Sequence, residues 1–217
     1  MGWDEQQGRV STAFNDWYLV DQDQRTFLRI GLQLAREKYD EVWEQASHEP
    51  GDPDGPELVD VFDDRIGGLW PHDYEWMHLA GVLRDSVTNF EVYLEKASSE
   101  VLGSHGLKWD GSPRWGELKR LARALGITLE SDDVREVRDL RHFLTHQRGE
   151  LRTEDQRRKF AQDSTDVIPP IVVELGEESV LTAMDRLARA VRSIDPAIWE
   201  HTFGGQRLTN LERALAG

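Results

Sequence analysis

Arg135, Arg138, Arg141, His142 and His146 fall within one short run, Arg-Glu-Val-Arg-Asp-Leu-Arg-His-Phe-Leu-Thr-His-Gln-Arg-Gly, that ends at Gly149. Imidazole titrates nearest neutral pH and can take or give a proton, while a guanidinium offers a planar fork that clamps phosphate. Together they suit proton transfer beside a phosphate. With no cysteine in the chain, disulfides, thiolate zinc sites and cysteine nucleophiles are excluded, and any metal would need His and carboxylate ligands.

A helix must hold these side chains. Ser131 offers an N-cap with Asp132 and Asp133 just behind it, and Gly149 offers a C-terminal stop. At 3.6 residues per turn, Val137, Leu140, Phe143 and Leu144 form one apolar stripe. Arg135, Arg138, His142, Thr145 and His146 fall on the other side, with Arg141 at the edge.

The 217 residues carry a net charge of -15, which repels polyanions on average and argues against indiscriminate nucleic-acid binding. The distribution is uneven. Residues 135–159 hold eight Arg or Lys against five Asp or Glu, whereas residues 1–71 hold six against sixteen. The His-bearing segment is a basic island, which can equally neutralise the acidic remainder through ordinary ion pairs. No apolar run approaches a membrane span, and Met-Gly-Trp-Asp-Glu-Gln-Gln at the start lacks a basic, apolar signal region. A cytoplasmic location without membrane contact is expected.

Apolar periodicity predicts helices over 22–47 (Leu28, Leu32, Ala35, Tyr39, Val42, Ala46) and 76–102 (Trp76, Ala80, Leu83, Val87, Phe90, Leu94, Ala97, Val101). Between them, Glu49-Pro-Gly-Asp-Pro-Asp-Gly-Pro56 breaks the chain, and a short helical piece is expected through Phe62, ending near Gly67 and Gly68. Ser112 and Pro113 are expected to open a helix through Leu125 that stops at Gly126. After the Arg/His helix, Thr153 starts a short helix and Pro169-Pro170 is a break. Residues 171–175 form a strand or extended pass, and a last helix covers 177–193. The fold class is all-α, a bundle whose short links favour antiparallel neighbours, and the tryptophans at helical spacing are mostly core.

Arg141-His142-Phe-Leu-Thr-His146 resembles the signature of the HEPN superfamily, an arginine followed after four to six residues by a histidine. Over about residues 72–200 the outline is also similar, since HEPN domains are helical bundles around two long antiparallel helices, here 76–102 and 131–148. The resemblance implies residues 72–217 as a HEPN-like domain, with residues 1–71 an acidic N-terminal helical extension. It further implies a metal-independent endoribonuclease in a toxin-antitoxin or anti-phage setting. RNA and an antitoxin or other defence protein would be its partners, and two motif helices would face each other across a homodimer. No cofactor is implied.

Cleavage by the RNA's own 2'-hydroxyl needs a base, an acid for the leaving 5'-oxygen, and positive charge on the phosphorane. The resemblance makes His146 base or acid and Arg141 the phosphate clamp, with His142, one turn away, as a second proton-transfer group or a phosphate positioner. Arg135, Arg138, Arg148 and Arg152 would bind RNA. HEPN domains often place a polar side chain on the first long helix near the motif, and Asp85, Ser86, Asn89 and Glu91 are available. Many HEPN toxins paired with nucleotidyltransferase antitoxins carry a tyrosine two residues beyond the motif histidine; here Gln147 and Arg148 follow, which disfavours that partner type. The rival is a non-catalytic HEPN-like module that binds a nucleotide, RNA or protein, because a fold does not carry its chemistry with it. Zinc on His142 and His146 would need a third ligand from elsewhere. Gly103-Ser-His-Gly106 lacks the Lys-Ser/Thr pair of a phosphate loop, and no nucleophile elbow is present.

Overall fold

The computed structural model describes residues 9–48, 71–160 and 172–205. These form six helices, α1 (Thr12–His48), α2 (Pro71–Ser104), α3 (Trp115–Ala124), α4 (Asp132–Gln147), α5 (Glu154–Phe160) and α6 (Glu177–Thr202). The chain is all-α, as the periodicity predicts. No strand occurs among the described residues, where extended pairing is confined to an isolated antiparallel bridge between Glu150 and Val172. Residues 171–175 are therefore an extended pass as far as they are described. The piece expected near 56–68 lies outside the described residues. No described helix is long and apolar enough to cross a membrane.

Side-chain pairs give the helix directions. Lys96 reaches Asp16 (2.6 Å) near one end of α1 and Arg36 reaches Glu75 (3.2 Å) near the other, so α1 and α2 are antiparallel. α6 runs parallel to α2, because Tyr93 bonds to Asp195 and the Ser104 hydroxyl to the His201 carbonyl. α4 opposes α2: Arg138 meets Glu91, and Gly149 lies against Trp76. α2 packs on α1, α3, α4 and α6, while α1 and α4 do not touch. One core results. Leu83, Phe90 and Val101 of α2, Met184 and Val191 of α6, and Val137 and Leu144 of α4 share it with Ala13, Trp17, Leu28 and Leu32 of α1. Within the stretch read as an N-terminal extension, α1 thus contributes to the same core as the other helices.

The first helix begins ten residues before its expected start at 22, and its cap explains why. Ser11 accepts from the Phe14 amide (3.0 Å), as an N-cap serine does. The neighbouring amides find acceptors on other helices: Asp195 of α6 takes the Ser11 amide (3.1 Å) and hydroxyl (2.5 Å), and Glu100 of α2 takes those of Thr12 (3.2 Å) and Ala13 (2.7 Å). Two carboxylates thereby complement the positive end of the α1 dipole. At its other end the expected helix over 177–193 continues to Thr202 through Pro196. A proline inside a helix removes a hydrogen bond, but buried Ile194 and Ile198 and the Asp195 network hold this turn in place. Ser112 and Pro113 do not open α3, whose N-cap is Arg114, its amide donating to Glu117 (2.6 Å).

Asp195 is 2% exposed, and burial raises its carboxyl above the usual range, against the lowering effect of its bonds to Ser11 and Tyr93. The folded form thus holds its proton to higher pH than the unfolded chain. This contribution is present below the ordinary carboxylate value and lost as pH rises through the raised one. Parent stability minus that of Asp195→Asn is therefore expected to grow as pH falls from about 7 to about 4, read from denaturant melts at each pH. A difference flat with pH would show the carboxyl to be unperturbed.

Candidate functional site

α4 is specified at both ends by its own sequence. Ser131 accepts from the Val134 amide (3.3 Å), and Asp132 and Asp133 fill the first turn. The helix closes at Arg148 in the left-handed region (φ 51°), and Gly149 follows at φ 73°. Space as well as backbone demands that glycine, since a Cβ there would come within 2.7 Å of the Trp76 ring. Gly149→Ala is expected to cost about 1–3 kcal/mol in a denaturant melt.

Val137, Phe143 and Leu144 are buried as expected, joined by Val134, with Leu140 half-buried. On the outer face His142 and His146 are exposed, their ring centroids 4.4 Å apart. Neither imidazole hydrogen-bonds to protein among the described residues. Their ring nitrogens are open to a ligand. No third His, Asp or Glu completes a metal-binding group with them among the described residues.

The arginines divide into two sets. Arg135 pairs with Asp132 (2.8 Å), and Arg152 donates twice to Glu150 (2.8 and 2.6 Å). Arg138 is held on three sides: Glu91 at 3.2 Å, Glu130 at 3.8 Å, and the Trp115 ring, whose centroid lies 3.5 Å from the guanidinium carbon. By contrast Arg141 keeps only a loose pairing with Glu91 (3.7 Å), and Arg148 has no ion-pair partner among the described residues. These two flank the histidines along the chain. Of the predicted site residues, Arg135, Arg138, Arg141, His142 and His146 share α4, Arg148 caps it and Arg152 lies beyond its end. Arg141, His142, His146 and Arg148 are the ones without a close carboxylate partner among the described residues.

Of the four polar candidates on the first long helix, Glu91 is the one that meets the motif helix, through both Arg138 and Arg141. Ser86 is buried and donates to the Val82 carbonyl (2.8 Å), Asn89 is buried and donates to the Trp17 carbonyl (3.2 Å), and Asp85 is exposed. Sequence reasoning missed Trp115, Lys119 and Glu130, which brace Arg138 from the α3 side. A hydrogen bond from Lys119 holds the Glu130 carboxyl below the usual range, with Arg138 adding to the effect. Glu130 therefore stays charged opposite Arg138.

Half-buried pairs still open to water stabilise modestly. Glu91→Gln is expected to lower stability by no more than about 1 kcal/mol in a denaturant melt. A larger loss would make Glu91 a fold determinant rather than a partner of the motif arginines.

No family model matches this chain, and comparison with curated proteins and with solved structures finds no match.

Proposed function

We propose that this protein is a metal-independent endoribonuclease of the HEPN type, with Arg141, His142 and His146 as its catalytic residues. The observation that carries this reading is the exposed pair of imidazoles, ring centroids 4.4 Å apart on one helix face, next in sequence to an arginine only loosely paired with Glu91. One imidazole takes the proton of a 2'-hydroxyl, whose oxygen attacks the adjacent phosphorus. The bond from phosphorus to the 5'-oxygen breaks, and the other imidazole, as imidazolium, protonates that oxygen. The products are a 2',3'-cyclic phosphate and a 5'-hydroxyl. Arg141 meets the charge that builds on the phosphorane, and Arg148 meets a neighbouring phosphate. A toxin-antitoxin or anti-phage setting, an antitoxin partner and a homodimer across the motif helices belong to the same proposal and rest on the motif alone.

A second reading is favoured by the pairing of Arg135, Arg138 and Arg152 with carboxylates, which leaves few cations for a phosphate backbone. It is the non-catalytic module, holding a nucleotide, RNA or protein at Arg141 and Arg148. Incubating purified protein with structured and unstructured RNA, with EDTA or with added zinc, separates the readings. Cleavage that survives EDTA supports the ribonuclease. Activity restored only by zinc would make His142 and His146 ligands, and binding without products under any condition would leave the module.

A further inference from the structure

The face of α1 turned away from its own core is apolar too. Leu19, Phe27, Ile30 and Leu34 are 50% to 64% exposed and fall within roughly 100° of arc on the helix. Trp17, Leu28 and Leu32, on the core side, are fully buried. The neighbouring outer face of α2 adds Tyr74 and Met77, 40% and 56% exposed. His78 joins the two helices beneath this surface. Its Nε2 lies 3.2 Å from the Leu28 carbonyl, and its ring packs on Phe27 at 4.8 Å and stacks with Tyr74 at 6.1 Å. Gly31 makes that approach possible, since a Cβ there would fall 2.3 Å from the ring. The result is a largely apolar surface on two antiparallel helices, interrupted by Asp23 and braced where Phe27, His78 and Tyr74 meet.

A soluble monomer seldom exposes a contiguous apolar patch beyond a few hundred Å², and these six side chains together reach that order. Charge decides what covers them. Asp23 lies within the α1 stripe, between Leu19 and Phe27, and Asp85 lies on the same outer face of α2; both are exposed and neither has an ion-pair partner among the described residues. α1 itself carries four basic against seven acidic side chains. A second copy would set this acidic surface against itself and bury unpaired carboxylates, which is costly. A cationic partner pairs them.

We infer that this face docks a basic amphipathic helix of another protein. Its apolar side chains, spaced i, i+4, i+7, lie along the Leu19–Leu34 stripe, and its Lys or Arg residues reach Asp23 and Asp85. The stripe is about 22 Å long at 1.5 Å per residue, the length of four helical turns. α1 and α4 share no contact and both pack on α2 and α6. The Leu19–Leu34 stripe therefore does not adjoin the histidine-bearing helix, and the inference holds whether or not the protein cleaves RNA.

The test uses the full chain and two fluorescent synthetic helices of about 18 residues, with leucines along one face and either lysines or glutamates elsewhere, titrated at about 0.15 M salt. The lysine peptide should bind, and the glutamate peptide at least about tenfold more weakly. Phe27→Asp with Leu34→Asp should weaken the lysine peptide at least about tenfold, although two added negative charges would strengthen a merely electrostatic attraction. Asp23→Lys with Asp85→Lys should weaken it too and improve binding of the glutamate peptide. All four positions are exposed, and circular dichroism checks that each variant folds; single Leu34→Asp serves if the double variant does not. Three results would overturn the inference. They are no binding, lysine-peptide binding untouched by Phe27→Asp and Leu34→Asp, or a dimer in sedimentation that these substitutions dissolve, which would make a second copy the occupant.

Discussion

Protein carrying His146→Ala is expected to cleave RNA on the order of a hundredfold or more slowly than the parent, the usual cost of losing a general acid or base. Its melting temperature should stay close to that of the parent, since His146 is exposed and substitution of such a side chain rarely moves stability by more than about 0.5 kcal/mol. Arg141→Ala should behave alike in rate, because it removes the charge that meets the phosphorane. The pairing of a large rate loss with an intact melt is the informative outcome. If both variants cleave like the parent, the catalytic assignment is wrong; if both unfold, the side chains were structural.

The second large effect lies at the other side of the bundle. Asp195→Ala removes the acceptor for the Ser11 amide, the Ser11 hydroxyl and the Tyr93 hydroxyl in a buried site, and nothing in the variant replaces it. Relief from burying the carboxyl offsets part of the loss, leaving an expected cost of about 3 kcal/mol. For a chain of this size that lowers the thermal midpoint by roughly 6–12 °C. Tyr93→Phe, which removes one donor and leaves Asp195 its bonds to Ser11, should cost about 1 kcal/mol. Equal effects from the two would mean that the tyrosine hydroxyl, not the capping of α1, carries the stability of this corner.

The contrast between α4 and α1 explains what could be read from sequence. α4 has local signals throughout: a serine cap three residues before the amide it binds, acids in the first turn, an apolar stripe, and a glycine where the backbone turns left-handed. Its bounds and faces were legible. The true start of α1 was only partly legible: Ser11 caps the Phe14 amide just as Ser131 caps α4, but the Ser11 and Thr12 amides are satisfied by Asp195 and Glu100, 184 and 88 residues away. Tertiary contacts also override the proline in α6, where local propensity alone would end the helix. At the site, spacing placed His142 beside His146 but could not select Glu91 from four polar neighbours, since that choice depends on how α2 is rotated against α4. Ion pairing of the basic island was open from the charge pattern, and Arg135 with Asp132 is a readable i, i+3 pair; that Arg138 would be held by Glu91 and Glu130 was not readable. A charge run in sequence does not say which charges are already paired. Apolar spacing likewise does not distinguish the buried face of α1 from the exposed one, since both repeat at three and four residues.

Transesterification by the side chains of α4 is tested most directly by the ends of the products. RNA incubated with purified protein in EDTA should yield fragments ending in a 2',3'-cyclic phosphate and beginning with a 5'-hydroxyl, with His146→Ala giving almost none. Fragments bearing a 5'-phosphate and a free 3'-hydroxyl, or cyclic-phosphate products formed equally by His146→Ala, would contradict the account.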